Sequence, residues 1–331
     1  QNEAPDDAPE LARAVAGRVE GVQLNRYPAI HAVDLEAALA VRHGWPVEGV
    51  VVANGSNVLI QALTIAAGIG RTVLTVAPTF AVYASQARLL GAELLEVPLA
   101  PGFTLPEDGL VAALEGRSGV AFLADPAAPT GGRMDPPGVE RFARAAHATG
   151  RWLTVIDEAY AEFAGVDHAR LARELDSVVL LRTFSKALGL AGARLGYALA
   201  APELAVHLRK VLLPFSVSAL QVAAGLAALE RPEAVAQRVT AVVAERERLA
   251  AALRTFPGIE VFPSVTNFVL FRVDDPGAVH SGLLERGVVV RRQDHLPGLE
   301  GCLRVTAGLP QENDAFLRAL EGVLAAEAAR G

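Results

Sequence analysis

Short runs of β-branched and aliphatic residues recur through the first two-thirds of the chain, separated by Ala-rich amphipathic stretches of helical length. The runs at 50–53, 72–77, 93–97, 120–124, 152–156, 178–182 and 195–199 read as strands, and several are apolar at every position. A strand with one wet face alternates, whereas a continuously apolar strand is covered on both faces. Helices are expected between them at 57–68, 79–90, 108–115 and 137–149. This alternation predicts an α/β domain built on a mostly parallel sheet. From 202 to 255 the pattern changes to long helices, the last of which, 232–255, has a charged face carrying Glu245, Arg246, Glu247 and Arg248. Strands follow at 259–262, 267–273, 288–291 and 303–306, with helices at 276–286 and 311–328. This is the make-up of a second, smaller α+β domain behind a long connecting helix.

The 331 residues are 52% hydrophobic, enough to bury a core without disulfides or a structural metal. A net charge of −7 without a basic block argues against nucleic-acid binding and against a polybasic membrane patch. Two long uncharged runs, 49–70 and 211–229, include Asn54, Asn57, Gln61, Ser216, Ser218 and Gln221, so they read as buried soluble elements and not as membrane spans. The lone Cys302 excludes an internal disulfide framework and a cysteine-rich metal site, and it fits a reducing, cytoplasmic location. The acidic opening segment lacks the basic start and apolar run of a signal peptide, so none is expected.

One compositional detail bears on chemistry. Of 30 cationic residues only Lys186 and Lys210 are lysines. A guanidinium cannot lose its proton and attack a carbonyl, so any imine chemistry falls to one of these two. Lys210 follows Arg209 on a helical stretch and reads as a surface residue. Lys186 lies in Leu181-Arg182-Thr183-Phe184-Ser185-Lys186, just past an expected buried strand, where ligands of open α/β sheets sit. Asp157 ends another strand and precedes Glu158-Ala159-Tyr160. A carboxylate there suits a pyridinium nitrogen, although a single Asp after a strand is more often a cap. Asn54-Gly55-Ser56-Asn57 joins a strand to a helix and offers an anion the first backbone N–H groups. Arg194, eight residues after Lys186, is a bidentate partner for the same anion. Phe80 in Pro78-Thr79-Phe80 stands where an aromatic ring could stack on a flat ligand. An amine, a carboxylate, an anion cradle, an arginine and an aromatic at the strand ends of one sheet suit pyridoxal phosphate, and few other cofactors need that set.

These residues, together with Leu24-Asn25-Arg26-Tyr27-Pro28, Pro129-Thr130-Gly131, the run from Gly189 to Tyr197, Asn267-Phe268-Val269-Leu270 and Cys302-Leu303-Arg304-Val305-Thr306, resemble the fold-type-I pyridoxal-phosphate aminotransferases. Within them they are similar to the histidinol-phosphate aminotransferase family. The resemblance implies an N-terminal arm over 1–27, a large coenzyme-binding domain over 28–235 and a small domain over 236–331. It implies Lys186 as Schiff-base lysine and proton shuttle, Asp157 at the ring nitrogen and Tyr160 at the phenolate oxygen. Ser56, Asn57, Ser185 and Arg194 would hold the phosphate, and Phe80 would lie over the ring. Tyr27 would reach the phosphate of a neighbouring subunit, which implies a homodimer with shared sites. Arg291 and Arg304 would bind the substrate's phosphate or carboxylate. The activity implied is transfer of an amino group from histidinol phosphate, or a related amine or aromatic amino acid, to 2-oxoglutarate. A decarboxylase of threonine phosphate and a non-catalytic coenzyme-binding paralogue are the alternatives. A transcriptional regulator is not expected, because only about 27 residues precede Tyr27.

Three positions depart from the family pattern. The loop Asp125-Pro126-Ala127-Ala128-Pro129-Thr130-Gly131 stands for the usual Asn-Pro-Asn-Asn-Pro-Thr-Gly, the segment Asn2-Glu3-Ala4-Pro5-Asp6 lacks an aromatic, and Phe80 replaces a tyrosine. Ala128 occupies the place of an amide that donates to the ionised coenzyme oxygen. Its loss should raise the proton affinity of the lysine–coenzyme imine. Ala128→Asn is therefore expected to lower the pKa read from the bound coenzyme's absorbance, and equal values in variant and wild type would refute this.

Overall fold

The computed structural model describes residues 2–5 and 8–328; residues 1, 6, 7 and 329–331 lie outside it, Asp6 of the N-terminal segment among them. The first two helices, α1 (Pro9–Val19) and α2 (Val33–His43), precede the first strand and were not expected from the periodicity. α1 buries only Leu11, so its apolar stripe is too thin to stand out from an Ala/Arg-rich background. The expected alternation follows: β1 (Val50–Ala53), α3 (Ser56–Ala67), β2 (Thr72–Ala77), α4 (Val82–Leu89), β3 (Glu93–Pro98), α5 (Glu107–Ala113), β4 (Gly119–Ala124), α6 (Pro136–Ala148) and β5 (Trp152–Asp157). Two short helices, α7 (Ala161–Ala164) and α8 (Ala169–Glu174), lead to β6 (Val178–Thr183) and β7 (Gly196–Leu199).

Among the described residues these strands form a seven-stranded sheet in the order β1-β7-β6-β5-β4-β2-β3. It is parallel except at β7, which runs antiparallel to both β1 and β6. Every residue of β4, β5 and β6 is buried, because helices cover both faces and a separate apolar core fills each side. The parallel strands end on one edge, and that edge carries Asp157, Thr183 and the loops after β2 and β4.

Helices α9 (Pro202–Val211), α10 (Ala219–Leu229) and α11 (Pro232–Leu253) follow. α10 begins with a reciprocal Ser218–Gln221 capping box. The smaller α+β domain holds β8 (Glu260–Val261), β9 (Phe268–Arg272), α12 (Pro276–Glu285), β10 (Arg291–Arg292), β11 (Cys302–Thr306) and α13 (Pro310–Ala328). Its four strands, in the order β10-β11-β9-β8, are antiparallel and share a core with α11 and α13.

The expected strand over 288–291 is displaced to Arg291–Arg292. Val288 instead donates its N–H to the Leu283 carbonyl, closing the end of α12, so the Val-rich run serves a helix terminus before the chain joins the sheet. The expected strand over 259–262 shrinks to two residues at the sheet edge. α4 starts at Val82, three residues later than expected, which leaves Pro78, Thr79 and Phe80 in the loop above β2.

Candidate active site

Above the carboxyl ends of the central strands lies a cavity of ≈ 440 Å³. Its lining includes ten of the residues singled out from sequence: Ser56, Asn57, Phe80, Asp157, Tyr160, Ser185, Lys186, Arg194, Arg291 and Arg304. Tyr27 is not among them. It lies 85% exposed, its ring beside that of Phe215 with centroids 5.3 Å apart.

One end of the cavity is built to receive an anion. Gly55 has φ 86°, a conformation that L side chains avoid, and it turns the chain from β1 into α3. No side chain caps α3, so its first N–H groups remain available at the positive end of the helix dipole. Gly196 permits the approach of β7, since a Cβ there would come within 2.3 Å of the Ser56 nitrogen. Arg194 lies over this turn, with its Nη2 only 2.7 Å from where a Cβ on Gly55 would sit. Its Nη1 donates to Ser185 Oγ at 3.2 Å. Arg194 itself has φ 54°, held by Gln221, whose Nε2 donates to the carbonyls of Ala193 and Arg194 at 3.0 and 3.1 Å. Gln221 escaped the sequence reading, although the Ser-x-x-Gln spacing of a capping box was present.

At the centre, Asp157 is 4% exposed. Tyr83 OH donates to its Oδ2 at 2.7 Å and the Ala159 N–H to its Oδ1 at 3.1 Å. Burial lifts the carboxyl to about 6, against the pull of these two donors. Tyr83 is fully buried and stacks on Phe122 at 5.0 Å. It was also missed by the sequence reading, which stopped at Phe80, although an aromatic three residues further on along the same helical face was a usable signal.

Lys186 is half-buried opposite. Burial lowers its amine to about 8, and Arg304 and Arg194 push in the same direction. Its Nζ donates to the Asn2 carbonyl at 3.1 Å and sits 5.6 Å from the centre of the Tyr160 ring. Asn2, 2% exposed, also donates from Nδ2 to Tyr160 OH at 3.0 Å and accepts from Thr306 Oγ1 at 2.8 Å. The N-terminal segment thus enters the cavity wall.

The opposite end is cationic. Arg291 and Arg304 are direct cross-strand partners on β10 and β11, and neither guanidinium has a hydrogen-bonding or ion-pair partner among the described residues. Arg304 lies over the Phe268 ring at 4.8 Å with its Nε buried and unsatisfied. Like charges facing each other across a ladder are unfavourable unless an anion joins them.

The aminotransferase class I and II family model matches residues 1–320. The chain belongs to this aminotransferase family. It is 48% identical to the histidinol-phosphate aminotransferase of Deinococcus radiodurans over 97% of its own length and 89% of that protein. It is 41% identical to the enzyme of the same name from Thermococcus kodakarensis, over 97% of this chain and 90% of the relative. Among solved structures, the Sinorhizobium meliloti histidinol-phosphate aminotransferase, in complex with pyridoxal-5'-phosphate, superposes with a TM-score of 0.89 at 27% identity, covering 98% of this chain and 89% of that one. In an aminotransferase, an amino donor and a keto acid acceptor use the site in turn.

The buried carboxylate gives this aminotransferase a pH signature. Because the folded-state pKa of Asp157 lies above the ordinary 3.8, the ligand-free fold binds that proton more tightly than the unfolded chain does. The stability so contributed is complete below about pH 4 and is lost as pH rises through about 6. Asp157→Asn removes the charge. The ligand-free variant is expected to be more stable than wild type above pH 6, by up to roughly 3 kcal/mol, and to converge with it near pH 4 in denaturant titrations. Equal stabilities at pH 7 would contradict this account.

Proposed function

We propose that this enzyme transfers the amino group of histidinol phosphate to 2-oxoglutarate with pyridoxal phosphate as coenzyme, in the cytoplasm and as a homodimer. The observation that carries the substrate is the cationic pair Arg291–Arg304, which faces the same cavity as Lys186 and has no acidic partner among the described residues. A phosphorylated donor and a dicarboxylic acceptor both bring an anion to that end.

The residues fit the coenzyme. The uncapped start of α3 with Arg194 and Ser185 suits a phosphate, and the buried Asp157 suits a cationic ring nitrogen, which would supply the missing countercharge. When bound, pyridoxal phosphate supplies an aldehyde for an amine and an electron sink for charge left at the donor carbon. Lys186 is the amine that would attach it; once the donor's own amine displaced Lys186 there, the freed Nζ would take the proton from the donor carbon and return it at the coenzyme's former aldehyde carbon. An amine near pKa 8 holds and releases protons close to neutral pH, as a shuttle requires. Asp157, held by Tyr83 and the Ala159 N–H, stays ionised against a positive ring nitrogen. Tyr160 OH donates toward the ring oxygen, Ser56, Asn57, Ser185 and Arg194 hold the phosphate, and Phe80 covers the ring. Tyr27, exposed in the single chain, serves the partner's phosphate. The division into an arm over 1–27, a coenzyme-binding domain over 28–235 and a small domain over 236–331 places the substrate arginines on a body distinct from the coenzyme.

Lys186→Ala is expected to abolish transamination in a donor screen with 2-oxoglutarate that compares histidinol phosphate, phenylalanine and threonine phosphate by glutamate formation. Turnover retained in the variant would sink the assignment, and preference for another donor would replace the substrate. Arg304→Ala is expected to raise KM for histidinol phosphate and 2-oxoglutarate by about tenfold or more, the scale of a lost charge-assisted hydrogen bond. An unchanged KM for both would remove Arg304 from the substrate site.

A further inference from the structure

Beneath the cavity lies a cluster of buried charge that takes no part in the proposed chemistry. Asp125, Glu158, Arg182 and His168 are all buried. The His168 ring sits between two carboxylates, with Nδ1 3.0 Å from Glu158 Oε1 and Nε2 3.3 Å from Asp125 Oδ2. Arg182 Nε donates to Glu158 Oε2 at 2.7 Å, and its Nη2 lies 3.3 Å from Asp167. Arg133 stands 3.3 Å from Asp125. The ring thus spans the two acidic side chains, hydrogen-bonded to Glu158 and within ion-pairing distance of Asp125.

The places these groups occupy give the cluster its reach. Asp125 directly follows β4 and opens the loop bearing Ala128, while Glu158 directly follows β5 and adjoins Asp157. The Asp125 N–H donates to the Asp157 carbonyl at 3.0 Å, and Arg182 lies on β6, four residues before Lys186. The loop after β4 lacks the amide that would tie it to the coenzyme, and in the same loop Asp125 replaces the usual Asn. The Asp125 side chain anchors this loop by accepting from the Met134 N–H at 3.0 Å and from Arg133, and its Oδ2 also lies 3.3 Å from His168 Nε2.

Resting on the coenzyme reading of the site, we propose that His168 is a positioning residue. It is a clasp that sets the separation between the loop carrying Ala128 and the strand end carrying Asp157, and so the width of the coenzyme slot. Removing one partner strands a buried charge, which destabilises the fold as well as the slot. The double variant His168→Leu/Asp125→Asn separates the two effects, because it removes the stranded charge without restoring the bridge.

The test is titration of pyridoxal phosphate onto the ligand-free wild-type protein, His168→Leu and the double variant, with the pH midpoint of the bound coenzyme's absorbance as a second readout and circular dichroism as the check of folding. The double variant is expected to regain near-wild-type stability, to bind pyridoxal phosphate about tenfold more weakly and to show a displaced midpoint. A folded double variant with wild-type affinity or a wild-type midpoint would overturn the clasp and leave the functional reading standing. Failure of the wild type to bind pyridoxal phosphate would overturn both.

Discussion

Holding a carboxylate at the end of a strand whose every residue is buried is unfavourable, and much of the site is arranged around that constraint. Asp157 cannot be solvated, so its negative charge must be met by donors or by a cation. Two donors are built in, Tyr83 OH and the Ala159 N–H. They do not bring the carboxyl down to its ordinary value, which remains raised to about 6. Among the described residues, that charge is only partly offset. The same burial acts on Lys186 in the opposite sense and lowers its amine to about 8. Desolvation thus brings an acid and a base toward neutrality from both sides, which is what proton transfer at physiological pH requires.

The edge of the parallel sheet makes this arrangement possible. β2, β4, β5 and β6 all release their chains at one edge, so Phe80, Ala128, Asp157 and Lys186 converge although they span more than a hundred residues of sequence. β7 runs the other way and packs against the start of α3, which puts Arg194 beside the helix N-terminus. The smaller sheet contributes a separate device, two arginines in register with no acidic partner among the described residues. Each end of the cavity is an unsatisfied electrostatic arrangement, and an anion would complete each.

Much of the site's membership was legible from sequence because strand ends are legible. A run that is apolar on both faces must be a covered strand, and a polar residue just past it must face the edge where ligands collect. That reasoning pointed to Lys186, Asp157 and the Asn54–Asn57 turn without contact information. It missed Tyr83, Gln221 and His168 for a common reason. Each acts on a residue distant in sequence, and each sits in a helix or loop whose local pattern is satisfied without it. Gln221 caps its own helix and Tyr83 fits a core position, so neither asks for a further role until the fold brings Arg194 and Asp157 into reach.

The sequence alone determined the fold class, the candidate amine and the anion-binding turn, because periodicity, composition and backbone chemistry are local properties. It also exposed the missing amide at Ala128. Only the tertiary structure decided which carboxylates are buried, which arginines lack partners among the described residues and how His168 spans two strand ends. Those are matters of desolvation and charge pairing, and both depend on distances between residues that the chain itself keeps far apart.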